Sequence, residues 1–293
     1  MPVAFLVVAP LFVTAATPEL AWESAPWGRY ALAAMQAAPF PSASRAQGYR
    51  QGPINFPADP HYVDNRVPVL VPHSVPPVGA VDFVVYLHGH MTNMERRYYE
   101  GWPQKLAAEA DLPAVFLFPQ GPKMATDSDY GKLCEPGGLV RLLSEALEML
   151  TREQVVGDAT VGRVVLVGHS GAYYGMGRIL SDPDQRKIVD EVDLLDASYG
   201  EYEGLVAAAS EPGIVFRSVF SSTLAANNVE MMGRLEAAGC AFHVLREADL
   251  TDERLSSERE PLFIHSQAAH DQLPELYFAR LLRTGFQLWQ RER

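Results

Sequence analysis

The chain has 293 residues, 48% of them hydrophobic and 20% charged, a composition that supports one sizeable core and excludes disordered, collagen-like and coiled-coil classes. Its formal net charge of −12 repels phosphate backbones and anionic headgroups, which argues against nucleic acid as a partner. Cys134 and Cys240 show neither zinc nor redox-pair spacing, so no metal framework is indicated and their pairing stays open.

Residues 1–17 begin with an apolar run, Val3 to Val13, followed by Thr14-Ala15-Ala16-Thr17, and Val13-Thr14-Ala15 has the small-x-small form of an export-signal cleavage site. No Lys or Arg precedes the run and Pro10 interrupts it. Two readings therefore stay open: a cleaved signal on a periplasmic or secreted protein, or an apolar segment packed on the domain of a cytoplasmic one. The run is too short to span a bilayer, so no stable membrane span is expected.

Thirteen of the 22 prolines fall before residue 80, among them Pro53, Pro57, Pro60, Pro68, Pro72, Pro76 and Pro77. Proline removes a backbone donor and clashes inside a helix, so residues 18–79 are expected to form an irregular or short-stranded N-terminal wrap without long helices. From residue 80 to 293 short β-rich runs alternate with helical patterns. That rhythm predicts an α/β fold, a mostly parallel central sheet with helices on both faces.

Strands are expected at Val81–Leu87, Ala114–Phe118, Arg163–Val167, Val192–Leu195, Ser218–Phe220, Ala241–Leu245 and Leu262–His265. Leu139, Val140, Leu142, Leu143, Ala146, Leu147 and Leu150 recur at helical spacing, and Asn228 to Ala238 ends at Gly239, a C-cap residue. Asp271 to Leu282 gives a last amphipathic helix, with Pro274 tolerated in its first turn. The stretch between Asp196 and Ser218 is too short for a large cap.

The sharpest chemical signal is Val164-Val165-Leu166-Val167-Gly168-His169-Ser170-Gly171-Ala172, a buried strand running into Gly-x-Ser-x-small and then a helix over Tyr173–Leu180. A serine on so tight a turn is held in a strained backbone with its hydroxyl outward, and small flanking residues are needed where strand and helix approach. The Gly171 N–H lies at a helix N-terminus, where donors and dipole favour a developing negative charge. Phe83 to Leu87 is a second strand and ends in His88-Gly89-His90.

This pattern resembles the nucleophile elbow of the α/β-hydrolase superfamily, and the element order from about residue 80 is similar to that fold. It departs from Gly-x-Ser-x-Gly in Ala172, which is still small. The resemblance implies a serine hydrolase that needs no cofactor and acts on a small-molecule ester or related acyl compound. It also implies that His90 supplies a second oxyanion-hole N–H beside that of Gly171, with Gly89 allowing the turn. A competing reading takes His88 and His90 as paired metal ligands, but the chain's eight histidines show no second matched cluster to complete the set.

A serine hydroxyl needs an imidazole to take its proton and a carboxylate to orient that imidazole. The superfamily's chain order is Ser, acid, His. Asp196 follows an apolar strand, which puts it at the same sheet edge as Ser170; Asp249 and Asp252 are the alternatives, in the polar stretch Glu247 to Glu253. His270, in a loop after the last strand and before the last helix, is the expected base. His265 and His243 sit within strands and are read as packed residues, and the bend after His169 is expected to point that ring elsewhere.

Tyr98, Tyr99, Trp102, Tyr173, Tyr174, Tyr199 and Tyr202 cluster in the segments that follow these strands, as pocket lining or as helix faces on the sheet. The Gly/Pro-punctuated stretch from Pro119 to Gly138 belongs to the same edge and is expected to border the cleft. Ester and amide hydrolysis share these residues, and a non-catalytic binding protein on the same fold is the alternative of another class. Oligomeric state is not legible.

Overall fold

The computed structural model describes residues 20–291, so the apolar run at residues 3–13 lies outside the described chain. In order, the strands are β1 (Glu23–Ala25), β2 (Gly28–Ala34), β3 (Tyr49–Gln51), β4 (Ile54–Phe56), β5 (Arg66–Pro72), β6 (Gly79–Leu87), β7 (Ala114–Leu117), β8 (Ala159–His169), β9 (Glu191–Leu195), β10 (Val215–Phe220), β11 (His243–Arg246) and β12 (Leu262–His265). Ten of them form one sheet in the order β1-β2-β5-β7-β6-β8-β9-β10-β12-β11, and β3 and β4 form a separate hairpin. The run from β7 to β11 in that order is parallel throughout. All seven strands expected from the sequence are present, the fold is the α/β class expected, and the largest extension is at the N-terminal end of β8.

Alternation of side chains along β6 explains the two faces. Phe83, Val85 and Leu87 pack in one core with Leu139, Leu142, Leu143 and Ala146 of the helix Gly138–Arg152. Val84 and Tyr86 point the other way, into a core with Leu106 of the helix Trp102–Ala110 and Phe278, Leu281 and Leu282 of the helix Leu273–Gln290. A strand covered on both faces reads as a continuous apolar run, as β6 does.

The Pro-rich N-terminal extension is short-stranded, and it also enlarges the sheet: β5, β2 and β1 add to β7 in antiparallel fashion. Pro68 and Pro72 fit inside β5 because the strand pairs with β7 only through Val69 and Leu70, leaving the proline nitrogens outside that ladder. Ion pairs fasten this segment to the loop after β7 and to Glu95, which follows β6. Asp64 and Arg66 join Lys123 and Glu95, and Arg45 joins Asp127 and Asp129.

Candidate active site

Parallel strands bring their C-terminal ends to one edge, the place where open α/β sheets hold ligands. Register sets the level: His169 pairs with Leu195, and Phe220 pairs with His265. Ser170 and Asp196 are therefore the next residues beyond a matched pair on adjacent strands. Both have left-handed backbones, with φ of 55° at Ser170 and 47° at Asp196. Such a conformation costs of order 1–3 kcal/mol in a non-glycine residue and persists where the surroundings over-determine it.

The surroundings do so here. Asp196 is fully buried; its N–H donates to the Val219 carbonyl, and its Oδ1 accepts from the Ser221 N–H at 2.7 Å. Its Oδ2 lies 2.8 Å from Nδ1 of His270, whose Nε2 lies 2.8 Å from Oγ of Ser170. A carboxylate only accepts, so Nδ1 carries the proton and Nε2 accepts from the serine hydroxyl. Burial alone would push the Asp196 carboxyl up, but hydrogen bonds from His270 and Ser221 outweigh it and hold the group below its ordinary range. The hydrogen bond to Asp196 in turn raises His270, against the opposing effect of partial burial.

Ser170–Ala172 is a 3-10 turn leading directly into the helix Tyr173–Ser181. The loop after β6 comes so close that a Cβ on Gly89 would lie 2.7 Å from the Ser170 Cβ, and one on Gly171 would lie 2.2 Å from Cδ2 of His90. Only glycine admits these approaches. The His90 ring is held over Gly171 by a 2.7 Å hydrogen bond between its Nε2 and Ser128 Oγ. Among the described residues neither the His90 nor the Gly171 N–H has a hydrogen-bond partner.

His88 sits under this loop. Its Nδ1 donates to the Gly89 carbonyl at 2.7 Å, and its Nε2 accepts from the Gly121 N–H at 2.8 Å and the Gln120 amide at 2.9 Å. Both nitrogens are committed, and burial pushes its pKa down to about 4. The reading of His88 and His90 as a metal pair fails on that donor set: His88 has no lone pair to offer, and among the described residues the pair belongs to no cluster with metal-ligand spacing. Gln120 also accepts from the Met94 N–H, and Tyr130 donates to the His88 carbonyl. The segment after β7 thus braces the loop from below.

The remaining histidines and acids are accounted for. Asp249 pairs with Arg246, and Asp252 with Arg280. His265 bonds Ser222, and His243 lies between Glu258 and Glu260. His169 differs from expectation: the bend does not turn it away, and its ring packs 4.8 Å from that of His270 with Nε2 on the His270 carbonyl. The strand ending at His169 keeps that side chain at the sheet edge, and burial lowers its pKa to about 4.

Of the aromatic residues, Trp102 lines the cleft beside Ser170. Tyr173 and Tyr174 line a second hollow, on which His90 also borders. Tyr199 stands between Tyr173 and His270, with ring centroids at 5.7 and 6.5 Å. Tyr98 and Tyr202 are packed, and Tyr99 is exposed. Gln120, Tyr130, Ser128 and Ser221 were not legible as site residues. Their only sequence signal is position after a β-run at the same edge.

No protein-family model matches the chain, and no curated protein matches it in sequence. Among solved structures it is similar to a mutant of the feruloyl esterase module from Clostridium thermocellum complexed with sinapinate, at 12% identity and a TM-score of 0.49 over 92% of this chain and 98% of that one. It is also similar to an S-formylglutathione hydrolase from Staphylococcus aureus, at 12% identity and 0.46 over 89% and 97% of the two chains. A third is a cold-adapted esterase from an Arctic intertidal metagenomic library, at 13% identity and 0.46 over 92% and 97%.

Proposed function

We propose that the chain is a serine hydrolase of the α/β-hydrolase type that cleaves carboxylic esters of small molecules through an acyl-enzyme. The observation that carries this reading is the hydrogen-bonded line from Asp196 through His270 to Ser170, with the serine on a left-handed turn at the sheet edge. Three side chains drawn from positions 170, 196 and 270 meet in the protonation pattern that a general base and its orienting carboxylate require.

In this mechanism Ser170 Oγ attacks the ester carbonyl while its proton passes to Nε2 of His270. Asp196 stabilises the imidazolium that forms and keeps Nδ1 protonated. The carbonyl oxygen, now an oxyanion, accepts from the N–H groups of His90 and Gly171; their freedom from other partners supports that role. His270 then protonates the leaving alcohol, the C–O bond breaks, and the acyl group stays on Ser170. Water, deprotonated by His270, attacks the acyl carbon, and collapse returns Oγ its proton and releases the acid.

The test is turnover of short model esters. Ser170→Ala is expected to fold normally and to lose on the order of 10⁴–10⁶ in rate. The wild-type rate is expected to survive dialysis against EDTA. Near-normal turnover by folded Ser170→Ala, or loss on chelation with recovery on added zinc, contradicts the reading.

A further inference from the structure

Ser170 opens onto a cleft of about 150 Å³, and part of its lining has no task in the hydrolytic steps. Tyr86, on β6, is 2% exposed and lines this cleft, yet its hydroxyl has no hydrogen-bond partner among the described residues. Arg97, on the helix Met94–Tyr99, lines the same cleft with its guanidinium carbon 5.2 Å from the centroid of the Trp102 ring. Among the described residues no carboxylate lies within 4 Å of it. Glu275, also in the lining, pairs with Lys105 at 2.8 Å, which together with the more distant Arg97 charge holds its carboxyl below the ordinary range.

We propose that this cleft binds a short arm of the substrate that ends in a carboxylate, with Arg97 and the Tyr86 hydroxyl as its partners. The proposal rests on the ester-hydrolase reading of Ser170. A guanidinium offers a planar fork that matches a carboxylate with two parallel N–H donors, a geometry no single ammonium reproduces. Stacking on Trp102 holds the fork in place before the ligand arrives, which lowers the ordering cost of binding. The Tyr86 hydroxyl, open to the same cleft, adds a neutral donor. A cleft of this size suits a short arm of a few carbons. Asp271 is the remaining carboxylate in the lining; it is exposed, as Arg97 is, and salt screens both.

The test reads occupancy of the cleft through the rate at which a fluorophosphonate labels Ser170. Glutarate is expected to slow labelling of the wild-type protein, whereas neutral glutaramide and cationic 5-aminopentanamide are not. Arg97→Gln is expected to weaken protection by glutarate about tenfold or more, and Tyr86→Phe, which removes one oxygen, by a few-fold. Turnover supplies the second readout, with the carboxylate placed on the acyl arm (succinyl against pentanoyl esters) or on the alcohol arm (acetyl esters of 4-hydroxybutanoate against butanol). One of these pairs is expected to favour the anion at least tenfold in kcat/KM, and Arg97→Gln to erase that ratio. Labelling that glutarate does not slow, protection by the cation instead, or no preference in either pair overturns the carboxylate pocket. Failure of the fluorophosphonate to label at all overturns the reading of Ser170 itself.

Discussion

Ser170, Asp196 and His270 illustrate how much a single residue's chemistry depends on where its backbone is held. The left-handed turns at Ser170 and Asp196 aim two side chains from neighbouring strands at one imidazole, and the hydrogen bond that His270 donates to Asp196 raises the His270 pKa. A base acts only when neutral, so kcat/KM is expected to rise with pH through a midpoint above the ordinary histidine value of about 6.5 and then level off. Asp196→Asn removes the charge that raises His270 and favours the wrong tautomer. It is expected to cost on the order of 10⁴ in rate and to move that midpoint down, measured as a pH profile on one ester. Ser170 and Asp196 were legible because each directly follows an apolar run at a strand end, and His270 because it lies in the loop between the last strand and the last helix. Gln120 and Tyr130 were not, because they act through His88, 32 and 42 residues away, and side-chain direction across such a gap leaves no periodic trace.

At the scale of elements, the strand and helix pattern was legible wherever a run was apolar and bounded by turn residues. The helices Met94–Tyr99 and Trp102–Ala110 were missed. Both are short, aromatic-rich and separated by Gly101 at φ 80°, so their periodicity is too brief to stand out. The role of β5 in the sheet was hidden by its prolines, since their harmless placement depends on the two-residue pairing with β7. The loop after β6 bears a sharper consequence. Gly89→Ala places a Cβ 2.7 Å from that of Ser170 and must push the loop off the serine. The expected outcome is a fall of tenfold or more in kcat with little change in thermal midpoint, because the loop lies at the sheet edge and the core is untouched. Equal losses of stability and activity contradict that placement.

The whole molecule carries a buried charge cluster far in character from its apolar cores. Arg217 on β10 is fully buried, with Glu191 and Asp193 of β9 beside it, and its Nη1 reaches the Leu281 carbonyl and Thr284 of the helix Leu273–Gln290. The contact with Glu191, at 3.3 Å, lacks hydrogen-bond alignment. Two carboxylates and one guanidinium leave one excess negative charge in a dry site, and burial pushes the Glu191 carboxyl well up, which favours its protonated form in the folded protein. The unfolded chain releases that proton above about pH 4.3, so this group's stabilisation is full below that value and is lost as pH rises through its folded pKa. Glu191→Gln mimics the protonated acid. It is expected to match or exceed wild-type stability at pH 8 in urea, with the advantage shrinking toward pH 4.5. Arg217→Met leaves the Asp193 carboxylate uncompensated and is expected to cost roughly 3–5 kcal/mol. The claim on which function turns is that Ser170 is an activated nucleophile, and mass-spectrometric mapping of fluorophosphonate labelling tests it most directly. One adduct per chain on the peptide containing Ser170, abolished by Ser170→Ala and slowed by orders of magnitude in His270→Ala, is the expected result; an unlabelled folded protein, or an adduct elsewhere with Ser170 untouched, contradicts it.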